Sequence, residues 1–505
     1  MSVSSDIKPV LTTDARISDI KDKLDVSALL GSRDNSFYSY SATTASQNSV
    51  NVTCSLPSES VVFDRAIFMS ARVNFYNKIV IPKDASYGPA TNTPMFPYGK
   101  GCAFQQFPLN GLISNNNVKV NSVSFNMSQD DLQGVLLRTQ DLNDLAKSNM
   151  CMSPSYPDQY LEFEAGQSSY TNSPLNSYDV NHFSSLVSRG AHPLESATYY
   201  ITQADGSKIV DGSTDASLFK AQNKATDGFT YEVYFSVDFF EPLLLSPFIF
   251  SSRKMSKQGL TNVQNLTFNF TLDPLLRNVW CKLKQTLDAT QGAYTIQLAS
   301  KPFDNFTIHI NALTPHITEV LPAISILPCH SWERYISSAV NVQTVASGAS
   351  SDIILNNIVL SQVPEQIIVC VRKVMSSKSY LDANSFFKIN SCSINFLNSQ
   401  GMLSNCNDRL LYKISKENGY ADTWYQWSGK ANGAVAANGG WYPVTLNTSG
   451  SVLVINPAKD LSISSPYLTN GSRGNFNFQI KLNVTNNYSA SVAPEVMVAV
   501  KNGCY

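Results

Sequence analysis

Apolar and polar residues alternate one for one through much of this chain, and a two-residue period can bury one face only if the backbone is extended. From Thr230 to Phe240, Tyr231, Val233, Phe235, Val237 and Phe239 are apolar, while Thr230, Glu232, Ser236 and Asp238 are polar. The rhythm returns in Leu266, Phe268, Phe270 and Leu272, in Phe306, Ile308 and Ile310, and in Phe476, Phe478, Ile480, Leu482 and Val484. Val496, Val498 and Val500 form a further β-branched strand, but Met497 and Ala499 make its second face apolar as well. Helical periodicity is confined to Ile17, Ile20 and Leu24 and to Leu132–Leu145, where Ser128 and Asp131 predict a capping box. The expected class is all-β with a few short helices.

The strands come in two similar sets. Val62–Val73 lies over Val363–Val374, each with an acidic position, an apolar run and a basic residue before valine. Leu266–Leu272 then matches Phe476–Leu482, and Phe306–Ile310 matches Val496–Val500. The first set carries about 91 more residues between equivalent strands, assigned to two aperiodic stretches, 82–125 and 146–225, rich in Gly, Pro, Ser, Asn and Tyr. These read as long loops on an outward-facing crown. The division expected is an N-terminal arm at 1–45, a first sandwich at 46–315 holding both loops, a connector at 316–321, and a second sandwich at 322–505. The arm's Ile17/Ile20/Leu24 stripe would dock on a minor protein, a neighbouring copy or a membrane, or pack under its own sandwich.

At 505 residues the chain exceeds what one core usually supports, which agrees with two units. Hydrophobic residues reach 43% and charged ones only 15%, below the ~25% of ordinary soluble domains. Such a surface suits burial against copies of itself. A net charge of −1 without a basic run argues against a nucleic-acid surface. No apolar stretch approaches the ~20 residues needed to cross a bilayer, and the N-terminus lacks a signal-peptide core. The nine scattered cysteines contain no C-x-x-C pair and suggest reduced thiols. Sequons at Asn51, Asn126, Asn265, Asn269, Asn305, Asn447, Asn470, Asn483 and Asn487 are what an Asn/Ser/Thr-rich composition produces by chance.

Catalytic constellations are missing. The five histidines (His182, His192, His309, His316 and His330) include no H-E-x-x-H pair, and no zinc-ligand spacing occurs. Cys329 and His330 are adjacent in an expected strand and so point to opposite faces. The glycine-rich run Asn432–Gly440 lacks the Lys-Ser/Thr of a phosphate loop and reads as a flexible loop. Asp130/Asp131 fit a helix start, and Asp238/Glu241 a strand end. Trp424, Tyr425, Trp427, Trp441 and Tyr442 would serve as core or interface aromatics, or stack on sugars in a carbohydrate-binding surface or adhesin protein. No catalytic, cofactor-binding or metal residue is assigned, and the expectation is a non-enzyme without cofactors.

Several segments resemble a known family. Phe239-Phe-Glu-Pro-Leu-Leu-Leu-Ser-Pro-Phe-Ile-Phe250, followed by Gln258–Leu266, is similar to the end of the first jelly roll in major capsid proteins of polinton-like viruses and related virophage-like or adintovirus-like elements. Val363–Val371 resembles an early strand of the second jelly roll in large DNA virus capsid proteins, with Ser393–Ser404, Leu410–Tyr412 and Gly450–Pro457 following in the expected order. The resemblance implies two tandem antiparallel jelly-roll β-sandwiches, a double jelly roll, in the shell of an icosahedral DNA virus. It further implies a homotrimeric, pseudo-hexagonal capsomer that meets neighbouring capsomers, minor capsid or penton proteins and, in some relatives, an internal membrane. Sequence-specific nucleic-acid binding is not expected, and the implied location is the virion capsid, assembled inside the host cell.

Overall fold

The computed structural model describes residues 34–56, 61–81, 102–139, 195–203, 208–211, 229–246, 248, 259–282, 293–315, 329–337, 343–380, 384–437, 440–461, 468–488 and 490–504. Eight strands build the first half: β1 (Asp34–Ser41), β2 (Ser49–Cys54), β3 (Phe68–Ile81), β4 (Ile113–Val120), β5 (Val123–Met127), β6 (Phe229–Pro242), β7 (Leu266–Leu272) and β8 (Ala293–Thr314). One sheet runs β1-β8-β3-β6 and the other β2-β7-β4-β5, and all these pairings are antiparallel.

The second half repeats that order. Its strands are β9 (Cys329–Ile336), β10 (Ser350–Gln362), β11 (Gln366–Lys373), β12 (Lys388–Phe396), β13 (Ser399–Met402), β14 (Val452–Ile455), β15 (Arg473–Thr485) and β16 (Pro494–Cys504). The sheets are β9-β16-β11-β14 and β10-β15-β12-β13. Adding eight to each label of the first half therefore gives the second. This shared winding is that of a jelly roll. The segments matched in the sequence fall on β3/β11, β7/β15 and β8/β16, each pair eight apart.

Inner faces follow the alternation. Leu266, Phe268, Phe270 and Leu272 of β7 are buried, and Phe476, Phe478, Ile480, Leu482 and Val484 of β15 are as well. In the first core Phe104 meets Trp280 edge-on at 4.8 Å, and Phe75 stacks on Phe235 at 5.3 Å. Four short helices matter below: α1 (Pro108–Gly111), α2 (Gln129–Leu136), α3 (Asp408–Glu417) and α4 (Trp424–Trp427). Helix α3 covers the edge of β14, where Ser415 Oγ accepts from Val454 N at 3.1 Å and Asn418 Nδ2 donates to Val454 O at 3.2 Å. Gly450 has φ +92°, and a Cβ there would lie 1.9 Å from Phe386 O, so glycine alone fits.

Four expectations need correction. Asp34–Ser41, assigned to the arm, pairs along its whole length with β8 and is the edge strand of the first sheet. Residues 102–125, assigned to a crown loop, contain a short strand, α1, β4 and most of β5. Three successive asparagines, Asn115–Asn117, hide the period of β4; Asn116 is buried on the inner face although polar, and its Nδ2 donates to Gln129 Oε1 at 3.0 Å. Within 146–225, Ser196–Gln203 and Lys208–Asp211 extend the first sheet beyond β6. Most of the run Asn432–Gly440 lies in paired strands, Lys430–Ala437 against Gly440–Asn447; its Gly, Ala and Asn residues have low strand propensity, which the cross-strand partner overrides. The Ile17/Ile20/Leu24 stripe and the connector 316–321 lie outside the described residues.

Removing the Phe75 ring leaves a cavity among Phe104, Phe235 and Phe239, so Phe75→Ala should cost about 3–5 kcal/mol of stability. Denaturant unfolding of the variant against wild type measures it.

Candidate functional site: the seam between the two sandwiches

Strand β11 is buried on both faces, and so is the Val496–Val500 segment of β16. A sheet covered on both sides reads as a continuous apolar run, which accounts for Met497 and Ala499. Register places Ile368, Cys370 and Arg372 of β11 opposite Ala499, Met497 and Glu495 of β16. That row faces the first half, where α2 stands against it.

Asp131, in the first turn of α2, is the centre of the seam. Its carboxylate pairs with Arg372 of β11 and, at 2.6 Å, with Arg334 of β9. Arg372 also holds Glu495 at 2.8 Å, and Arg372, Asp131 and Glu495 are all buried. Two carboxylates and two guanidiniums are thus satisfied together, which a buried charge requires. The expected capping box is absent: Ser128 is the N-cap without a side-chain bond, because Asp131 is turned outward to the arginines. Neighbouring Asp130 carries no such pair. Burial, and then the charge of Asp131, pushes its carboxyl up to about 6.

Past the end of α2, Arg138 donates to Asp422 at 2.9 Å and to Asn384 O at 2.9 Å, while its own carbonyl accepts from Ala421 N at 2.7 Å. Both charged side chains are fully enclosed. Lys378 Nζ donates to Asn278 Oδ1 at 2.6 Å and to Asn384 Oδ1, and Asn384 Nδ2 donates to Gln105 Oε1 at 2.9 Å. These contacts tie the first half to the loop before β12. Beneath α2, Glu241 accepts from Leu109 N, Asn110 N and Asn110 Nδ2 at 2.8–2.9 Å and so caps α1. Burial outweighs those donors and holds its carboxyl at about 7. The Phe239-Phe-Glu-Pro motif is therefore a structural lock.

The sequence candidates separate accordingly. Asp238 and Glu241 do not form a pair: Asp238 takes Arg72 in a two-bond bridge on the outer face, and Glu241 points inward. Trp427 is fully buried, in an edge-on cluster with Tyr412 and Tyr420, whereas Tyr425 is exposed. Trp441 and Tyr442 lie in the hairpin strand Gly440–Asn447. His330 is buried, with Nδ1 3.4 Å from Glu365; His309 lies between Ser39 and Ser70; His182, His192 and His316 lie outside the described residues. Cys329 is disulfide-bonded, against the expectation of reduced thiols, and faces Cys504 in backbone register; Cys54, Cys370, Cys392 and Cys406 are free. Asn487 is buried and donates to Phe386 O. Among the described residues no cluster of three or more His, Cys, Asp or Glu is placed to hold a metal. The seam itself was missed in the sequence; its one trace was the apolar second face of β16.

Arg138→Ala should cost about 3–5 kcal/mol, because it strands Asp422 in the interior, while the paired replacement Arg138→Met with Asp422→Leu should recover most of that loss. Denaturant titration of the three proteins decides. The Glu241 and Asp130 carboxyls sit above their ordinary values, so their contribution is fully present at low pH and is lost as pH rises through about 6 to 7. Stability should therefore decline between pH 5 and 8 more steeply in wild type than in Glu241→Gln, measured by melting temperature against pH.

Comparison with known proteins was made on this architecture. Residues 5–313 match the family of the Sputnik virophage major capsid protein first domain, and residues 332–504 match the major capsid protein V20 C-terminal domain. The putative capsid protein V20 of Sputnik virophage is 25% identical over 482 residues, covering 94% of this chain and 74% of its own length. Among solved structures, the Sputnik virophage particle superposes with a TM-score of 0.72 at 20% identity, covering 98% of this chain and 91% of its counterpart. The mavirus major capsid protein gives 0.60 at 14%, covering 99% and 93%. The matched first domain alone spans more than half of the chain, so this protein belongs to the virophage major capsid protein family, and its two sandwiches are the double jelly roll of a capsid subunit.

Proposed function

We propose that the working unit is a homotrimer, in which three chains place six sandwiches around one axis as a pseudo-hexagonal capsomer of an icosahedral shell. The observation that carries this reading is the seam: it fixes the two sandwiches of a chain side by side through buried ion pairs, so a three-fold axis generates six-fold-like contacts. The outer face of the β2-β7-β4-β5 sheet supports lateral packing. Asn51, Asn269, Asn117 and Asn126 lie in one uncharged rung across it, with Lys119 in the next rung. We assign residues 1–33 to an arm, 34–315 to the first sandwich and 322–505 to the second.

The same reading gives the chain no catalytic role, since buried acids such as Asp131, Glu241 and Asp422 are taken up in structural contacts, and it has the shell assemble inside the host cell. Its partners are copies of itself and the minor capsid or penton proteins that close the shell, with an internal membrane as a further contact.

Analytical ultracentrifugation of the recombinant chain at micromolar concentration should show one species near three times 55.5 kDa. A stable monomer would contradict the trimer and favour a surface-binding role for the exposed aromatics.

A further inference from the structure

An aromatic band lies across one end of the outer face of the β1-β8-β3-β6 sheet. Phe37 on β1 is 78% exposed and Phe240 on β6 is 41% exposed, unusual values for phenylalanine on a sheet. Between them Phe68 stacks on Phe240 at 5.2 Å, and the His309 ring lies 5.7 Å from Phe240, held by Ser39 Oγ at 2.8 Å and Ser70 Oγ at 2.6 Å. Register puts Ser39 opposite His309, His309 opposite Phe68 and Phe68 opposite Pro242, so the band crosses all four strands near one end. Asp34, where the described chain begins, lies at that same end.

We infer that this band is the docking site for the chain's own N-terminal segment, through Ile17, Ile20 and Leu24. Three observations support the assignment. The segment carries an apolar stripe of helical spacing, and the band offers a matching apolar surface without a formal charge among Phe37, Phe68 and Phe240. The ten-residue step from Leu24 to Asp34 reaches up to about 35 Å, whereas the band is only three strand spacings wide, about 14 Å. A short tether of this kind favours the chain's own segment over a second copy. Finally, the first-domain family match starts at residue 5, so the arm lies within the stretch of sequence that matches the first domain.

Trypsin cleavage after Arg16, Lys21 and Lys23 of the full-length protein reads the docking directly. Cleavage should be about tenfold faster in Phe37→Ser/Phe240→Ser than in wild type, because the opened segment is the form that is cut. Wild-type cleavage should not change with protein concentration. Equal rates in the two proteins overturn the proposal, and protection that grows with concentration overturns the assignment to the chain's own segment. If the paired variant fails to fold, Ile17→Ser/Ile20→Ser/Leu24→Ser leaves the sandwich intact. Amide exchange in Asn35–Ser41 must then rise above wild type, and unchanged exchange overturns the docking.

Discussion

The bond between Asp131 and its two arginines is the constraint on which the arrangement of this chain depends. Each sandwich packs apolar residues between its own two sheets, and these interiors join in one continuous hydrophobic cluster. What the cores do not specify is how the two sit together, because apolar contact is non-directional. A buried carboxylate on α2 reached by Arg334 and Arg372 from two strands of one sheet is directional: a displacement of the helix relative to that sheet would leave a charge unpaired in the interior. Buried ion pairs of this kind add little net stability over apolar replacements, and their value here is in selecting one relative placement.

That placement links chemistry to shell building. Within the sheet β9-β16-β11-β14, strands β11 and β14 and the Val496–Val500 segment of β16 are covered on both faces, with α2 of the first half reaching Arg372 and α3 lying over the edge, while β9 keeps exposed residues. The second sandwich therefore gives up one outer surface within the chain and keeps the β10-β15-β12-β13 face for other contacts. The first sandwich keeps both outer faces, one an uncharged rung of asparagines and the other bearing the aromatic band. Two similar folds thus present unlike surfaces.

Most of the fold was legible because alternation survives wherever one face meets a core and the other meets water. It failed where that contrast was broken. Strand β4 went unread because Asn116 is buried and pairs with Gln129, so polarity and burial no longer coincide. The strand Asp34–Ser41 was hidden by an Asn/Ser/Tyr composition in which tyrosines, not aliphatic residues, face inward. The seam was nearly invisible for a different reason: Asp131, Arg334, Arg372 and Glu495 are far apart in sequence, and each resembles an ordinary surface charge until the fold brings them together. Only the doubly apolar face of Val496–Val500 signalled a second covered surface.

If the seam makes the two sandwiches a single cooperative unit, scanning calorimetry of the purified chain should give one unfolding transition whose calorimetric and van't Hoff enthalpies agree, and Asp131→Ala should resolve it into two. Two separate transitions in the wild-type protein would contradict the account.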